Sequence, residues 1–407
     1  MSQDLRRKLI LKQLDKLNNN EEIPNSNLDT LGQLPSFPKK SISKEKQHTR
    51  NLKNDALQLP SWKDFFTKNE VVTLKDRNFQ FNTYFTLPTS HKNNSVTYSE
   101  NLTTSSSTAD CTIPIYIFHH GAGSSGLSFA NLAKEVYERS SGKCGCFSFD
   151  ARGHGKTVPI DPTKPISYGR EIFVQDFKSL ITWFYQTQLI EIFSSKQNEK
   201  KHISLILVGH SLGGSICTFV HPSLDKMIRS HVLGVAMFDI VEEAAILALE
   251  KVDHFLKNTP NAFNSYEDAI GWYMKHKLSR TKTSAEIAVP SLFAPVEGDT
   301  SQVTRITNLK DFSPYWSTWF TDLSHSFVTL PTAKLLILAG DDRLDKELII
   351  GQMQGKYQLV VFQDSGHFIQ EDSPMKTALT LLEFWKRNDN TNVIIKSNWG
   401  SSTNKNQ

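Results

Sequence analysis

The chain is 407 residues long, 38% hydrophobic and 22% charged, with 46 basic against 42 acidic residues and a net charge of +4. That balance is too even for a nucleic-acid coat, and four cysteines in so long a chain are too few for a disulfide framework. A collagen-like or wholly disordered chain is excluded as well; composition by itself names no function.

The first residues, MSQDLRRKLILKQLDKL, mix Asp4 and Asp15 with Arg6, Arg7, Lys8, Lys12 and Lys16 and hold no apolar core of a secretory signal. The two acids also weigh against a mitochondrial presequence, while Leu9, Ile10, Leu14 and Leu17 allow a short amphipathic helix. The Asn-, Ser- and Lys-rich stretch that follows reads, with this start, as a largely disordered lead-in over 1–57. Aromatic residues Trp62, Phe65 and Phe66 mark the start of order, and a strand pair is predicted at 71–74 and 79–87. Residues 88–110 are polar and serine-rich and read as a surface insertion.

Apolar runs at 113–120, 144–150, 204–210, 232–239, 334–340 and 357–363 predict strands. Between them, Phe173, Phe177, Leu180, Ile181 and Phe184 share one helix face. Near-continuous apolar strands alternating with helices predict an α/β fold, a mostly parallel sheet covered on both faces. The gap between Asp239 and Lys334 is too long for one crossover and has helical patterns at 241–256 and 265–278. It is read as a helical lid, 242–330, within one domain spanning 58–387, followed by a flexible tail over 388–407. No apolar run approaches the length of about 18 residues that a membrane-spanning helix needs. Cys144 and Cys146 read as buried strand thiols rather than metal ligands, because no second pair accompanies them. The protein is read as intracellular, in cytoplasm or nucleus, with mitochondrial targeting left as the alternative.

Three motifs carry chemistry. Gly209-His210-Ser211-Leu212-Gly213-Gly214 lies between a predicted strand and a predicted helix. In that context G-x-S-x-G is a sharp turn that exposes a nucleophilic serine, Ser211, and lets the Leu212 N–H donate to an oxyanion. His119-His120-Gly121-Ala122-Gly123 ends the strand at 113–120, where the backbone of Ala122 supplies a second oxyanion donor. Asp364-Ser365-Gly366-His367 follows the last strand and places His367 as general base. FDARGHGKT at 149–157 reads as scaffolding, and His154 is not taken as the base. For the acid, two sites satisfy the chain order serine, acid, histidine. Asp341 and Asp342 follow the strand at 334–340, and Asp239 follows the one before it; position alone favours Asp342.

Taken together these residues resemble the protein phosphatase methylesterases of the α/β-hydrolase superfamily. The resemblance rests on FDIVEEAA at 238–245 and on the stretch 335–374, LLILAGDDRLDKELIIGQMQGKYQLVVFQDSGHFIQEDSP, with PSWKDFF at 60–66 and SPYWSTWFTDLS at 313–324 in support. It covers Pro60 to Trp385 and, from the Asn-rich ends, points to a fungal member. It implies an enzyme that removes the methyl ester from the C-terminal leucine carboxylate of the protein phosphatase 2A catalytic subunit, its substrate and docking partner. It implies a triad of Ser211, Asp239 and His367 without metal or cofactor, so the acid moves to Asp239. It also implies that Met353 to Lys356 belong to the face that meets the phosphatase. Lid aromatics Trp272, Tyr273, Tyr315, Trp316 and Trp319 are expected either to line a peptide pocket or to form lid core. The competing functions are an esterase of the same fold acting on small esters, and a phosphatase-binding inhibitor or scaffold.

Overall fold

The computed structural model describes residues 59–89, 112–190, 202–340 and 344–389. The expected lead-in, nearly all of the polar insertion, Asp341, Asp342 and the tail from 390 lie outside the described residues.

The predicted strand pair is β1 (Lys68–Leu74) and β2 (Phe79–Thr86), antiparallel across a turn in which Asn78 takes a left-handed conformation. Then follow β3 (Thr112–His119), β4 (Gly145–Phe149), the short β5 (Val158–Pro159), β6 (His202–His210) and β7 (Val232–Phe238). The lid holds β8 (Ala262–Phe263), β9 (Phe293–Val296) and β10 (Asp299–Arg305), and the main sheet ends with β11 (Ala333–Ala339) and β12 (Gln358–Phe362). The main sheet runs β1-β2-β4-β3-β6-β7-β11-β12, with β5 paired to β2. From β4 through β12 every pairing is parallel, and antiparallel pairing is confined to the β1/β2 end.

The covering helices are α1 (Ala130–Arg139), α2 (Arg170–Phe184) and α3 (Leu212–Val220). In the lid come α4 (Glu242–Leu249), α5 (Val252–Asn258), α6 (Tyr266–Lys275) and α7 (Lys282–Ala288), and beyond it α8 (Lys346–Met353) and α9 (Pro374–Asn388). Strand periodicity divides the buried side chains between two cores. Ile115, Ile117, Leu205 and Leu207 face α2 and α3, where Phe173, Phe177, Leu180, Ile181 and Phe184 form the predicted apolar stripe. Tyr116, Phe118, Ile206 and Val208 face α1 and α9. Cys144 and Cys146 are buried in this second core, and burial pushes the Cys144 thiol up to about 12. No described helix is long and apolar enough to cross a membrane.

The lid departs from its prediction in two ways. The single helix expected at 241–256 is broken between α4 and α5 at Glu250–Lys251, and of α4 only Ala245 is buried. The lid is also not purely helical, because β8, β10 and β9 form a three-stranded antiparallel sheet. Its strands are short, one contains Pro295, and the pairing of β9 with β10 is interrupted by a bulge, so no clean alternation betrays them. Gly298, at a φ of 85°, makes the turn between them.

Candidate active site

Parallel strands bring their carboxyl ends to one edge, and that edge is where a ligand crevice forms in open α/β sheets. Backbone bonds tie the ends together. Ser211 N donates to Phe238 O at 3.0 Å, Asp239 N to Ile337 O at 2.8 Å, and Gly340 N to Phe362 O at 3.0 Å. The loops that leave β6, β7 and β12 therefore start from one rigid row.

Ser211 caps α3 with φ 52° and ψ −118°, a conformation L residues rarely adopt. The turn is possible because its neighbours lack side chains. A Cβ on Gly209 would lie 2.1 Å from Gly213 O, and one on Gly213 would lie 2.0 Å from His119 O. The Leu212 N–H is the first of α3 and has no intrahelical acceptor. Gly121 comes so near that a Cβ there would lie 3.1 Å from Ser211 Cβ, which sets Ala122 at the margin of the serine.

Asp239 also has positive φ, 49°, and is buried. Its Oδ1 accepts from Ala339 N at 2.8 Å and its Oδ2 from His367 Nδ1 at 2.7 Å. Asp239 thus anchors the ring at Nδ1, and the His367 side chain is 41% exposed. Ser211, Asp239, His367, Ala122 and Leu212 thus gather at one edge, while Asp342 is outside the described residues.

The two glycine- and histidine-rich loops clasp each other. His120 Nε2 accepts from Ala151 N at 2.9 Å while its Nδ1 donates to Gly121 O at 2.8 Å. His154 Nε2 accepts from Gly123 N and its Nδ1 donates to Arg152 O, each at 2.9 Å. Both rings hold backbone on both nitrogens, so His154 is scaffold and has no nitrogen left for catalysis. Each accepting nitrogen must be unprotonated. Burial accordingly holds His120 down at about 3, helped by neighbouring His119, and pushes His154 well below its ordinary value. Acid protonates these groups in the unfolded chain first, near 6.5, so their stabilisation is complete above that pH. It is lost as pH falls from there toward about 3. His120→Gln keeps an acceptor that does not titrate. Its melting temperature is expected to fall less steeply than wild type between pH 6.5 and 4 on calorimetry; an unchanged slope would refute this.

Arg152 anchors the same loop from below. Its Nε and Nη2 donate to the two oxygens of Asp176 at 2.7 and 2.8 Å, and Arg77 Nε adds a bond at 2.7 Å. Asp176→Ala would strand the Arg152 cation, which is 7% exposed. It is expected to cost about 3–5 kcal/mol in denaturant unfolding; a loss under about 1 kcal/mol, the range of exposed pairs, would refute it.

A cleft with a cavity volume of about 70 Å³ lies between the Ala122–Ser124 loop and the lid. Leu278, Leu292 and Leu309 give it an aliphatic wall, and Arg305 and Glu371 are its charged lining residues. Arg305 hydrogen-bonds the Tyr273 hydroxyl, and its guanidinium sits 5.3 Å from the Phe293 ring centre. Burial pushes Glu371 up to about 8, against the bond from Ser128 Oγ. Of the five lid aromatics, Tyr273 lines the cleft. Trp319 is buried with its Nε1 on Tyr168 O, Tyr315 and Trp316 pack on the main core, and Trp272 stacks on His276. Arg305 escapes a reading of the sequence because it is one basic residue among 46, on a strand with no visible pattern. The FDIVEEAA stretch has a structural use. Glu242 accepts from the backbone N–H groups of Asp322 and Ser324, both at 2.9 Å, and so pins the far end of the lid beside the Asp239 loop.

The parallel sheet, the strained serine at its carboxyl edge and the carboxylate-bound imidazole define an α/β hydrolase, and the Alpha/beta hydrolase family profile matches residues 116–378. The structure of E-2-(acetamidomethylene)succinate hydrolase superposes with a TM-score of 0.55, covering 78% of this chain and 100% of that one at 16% identity. An α/β hydrolase from Novosphingobium aromaticivorans gives 0.53, covering 78% and 98% at 14% identity. At such identities the likeness is one of fold. Much nearer in sequence are protein phosphatase methylesterase 1 of Saccharomyces cerevisiae, 54% identical over 98% of both chains, and that of Candida glabrata, 52% identical over 99% of both. The chain belongs to the protein phosphatase methylesterase family, a family of carboxylic ester hydrolases, as its motifs led one to expect. Both relatives are fungal, in keeping with the expected origin.

Proposed function

We propose that this protein removes the methyl ester from the C-terminal leucine carboxylate of the protein phosphatase 2A catalytic subunit, by acyl transfer through Ser211. The observation that carries the site is the 2.7 Å bond from His367 Nδ1 to Asp239, beside a serine held at positive φ. Ser211 Oγ attacks the ester carbonyl as His367 Nε2 takes its proton, and the oxyanion is held by the N–H groups of Leu212 and Ala122. His367 returns the proton to the leaving methoxide, and methanol departs. Water, deprotonated by the same imidazole, then attacks the acyl-enzyme and releases the free carboxylate and Ser211. Asp239 keeps the proton-bearing nitrogen of His367 turned away from the serine and stabilises the imidazolium.

The aliphatic wall of the cleft suits a leucine side chain. The exposed Ile349, Ile350 and Met353 of α8 give an apolar surface for a folded substrate next to the segment from Met353 to Lys356. Methanol release from methylated phosphatase should exceed that from leucine methyl ester at equal concentration. A preference for the small ester would favour the general-esterase reading. Failure of a fluorophosphonate to label Ser211 would favour an inert binder.

A further inference from the structure

His210 precedes Ser211 and is fully buried, 1% exposed, at the end of β6. Its Nε2 lies 2.8 Å from the backbone carbonyl oxygen of His367. A carbonyl oxygen only accepts, so Nε2 carries the proton and Nδ1 is a bare lone pair. That Nδ1 is buried and meets no hydrogen-bond partner among the described residues. Leaving a buried acceptor without a protein donor is unfavourable, a cost that a phenylalanine in the same space would avoid. The ring also packs as an aromatic would, 4.6 Å from the His367 ring centre and 4.9 Å from that of Phe368. Packing therefore does not account for an imidazole here. What an imidazole has and a phenyl ring lacks is the Nε2–H.

The loop after β12 explains what that donor does. His367 needs its ring fixed in direction, yet its side chain is 41% exposed. Asp239 holds the ring at Nδ1, and Gly366 N is tied to Asp372 Oδ2 at 2.7 Å. Asp372 Oδ1 also accepts from Arg280 N of the lid at 2.9 Å, so this side of the loop is coupled to the lid. The bond from His210 ties the carbonyl of His367 to the other partner in the reaction, the turn that carries Ser211. We infer that His210 is a positioning residue: its Nε2–H locks the backbone of His367 to the serine turn, so that nucleophile and base keep their mutual geometry whatever the lid does. The inference rests on the roles proposed above for Ser211 and His367.

Four variants test it, with kcat and KM measured separately for methylated phosphatase and with the rate of Ser211 labelling by a fluorophosphonate. His210→Phe fills the site without a donor. His210→Gln places an amide N–H near the position of Nε2, and His210→Asn is too short to reach. Misplacing a base slightly costs up to about 10²-fold, so Phe and Asn are expected to lower kcat and labelling by about 10–10²-fold, with KM nearly unchanged. Gln should recover most of the loss. Full kcat in His210→Phe overturns the inference, and so does a Gln variant as slow as Asn, since then the donor does not matter. If His210→Phe does not fold, the Gln-to-Asn ratio decides alone: about tenfold or more supports the bond, and equality refutes it. Ser211→Ala, the fourth variant, separates the two claims. Methanol release persisting there overturns the site and this inference together, whereas a neutral His210 series overturns only this inference.

Discussion

Ser211→Ala is expected to lower kcat for methanol release by about 10⁶-fold, the scale seen when a triad nucleophile is removed and the other members are left idle. The variant should still fold and bind. Alanine at φ 52° bears the same backbone strain as serine, and Gly209 and Gly213, whose lack of side chains makes the turn possible, are untouched. The Leu212 and Ala122 N–H groups also remain, which leaves a residual of about 10³–10⁴ over water from the oxyanion hole and binding. Two measurements check this: single-turnover methanol release, and retention of methylated phosphatase on the immobilised variant. Wild-type turnover would remove Ser211 from the mechanism. Loss of binding together with turnover would show that the substitution had disturbed the fold.

Asp239→Asn should reduce kcat by about 10⁴-fold, as the equivalent change does in other triads. Both oxygens of Asp239 accept, one from Ala339 N and one from His367 Nδ1. An asparagine has one accepting oxygen and one donating amide. If its oxygen keeps the Ala339 N–H, its amide faces His367 Nδ1, and the imidazole must turn to the tautomer with the proton on Nε2. That tautomer cannot take the serine proton. The alternative flip leaves Ala339 N–H facing a donor, a buried clash that destabilises the variant. Asp342→Asn is expected to stay within a few-fold of wild type, because His367 Nδ1 already has its carboxylate. If only the Asp342 variant loses activity while both fold, the acid is Asp342.

The acid shows where the sequence stops being legible. The strands were readable because each is a short apolar run, and the serine turn because two glycines at fixed spacing answer a local steric demand between a strand and a helix. His367 was readable from its place after the last strand. Which carboxylate reaches it was not a local matter: Asp239 and His367 are 128 residues apart, and position along the chain alone pointed to Asp342. The resemblance to the methylesterases named Asp239, and the positive φ of that residue together with the Ala339 N–H shows how its carboxylate is turned to the ring. The lid sheet is illegible in the sequence for a different reason. Its strands are two to seven residues long and bulged, so their pairing is decided by long-range contacts and not by alternation.

By itself, then, the sequence determined the α/β-hydrolase class, the strand order's raw material, the serine turn and the histidine loop, all features written in contiguous residues whose steric or apolar needs are local. The tertiary structure decided the Asp239–His367 pairing, the His120 and His154 clasp between two loops, the bond from His210 to the His367 carbonyl, and the cleft with Arg305 and Glu371 under the lid. Those depend on which strand ends lie side by side, and that order is set by packing both faces of one sheet at once, a condition no single segment of the chain contains.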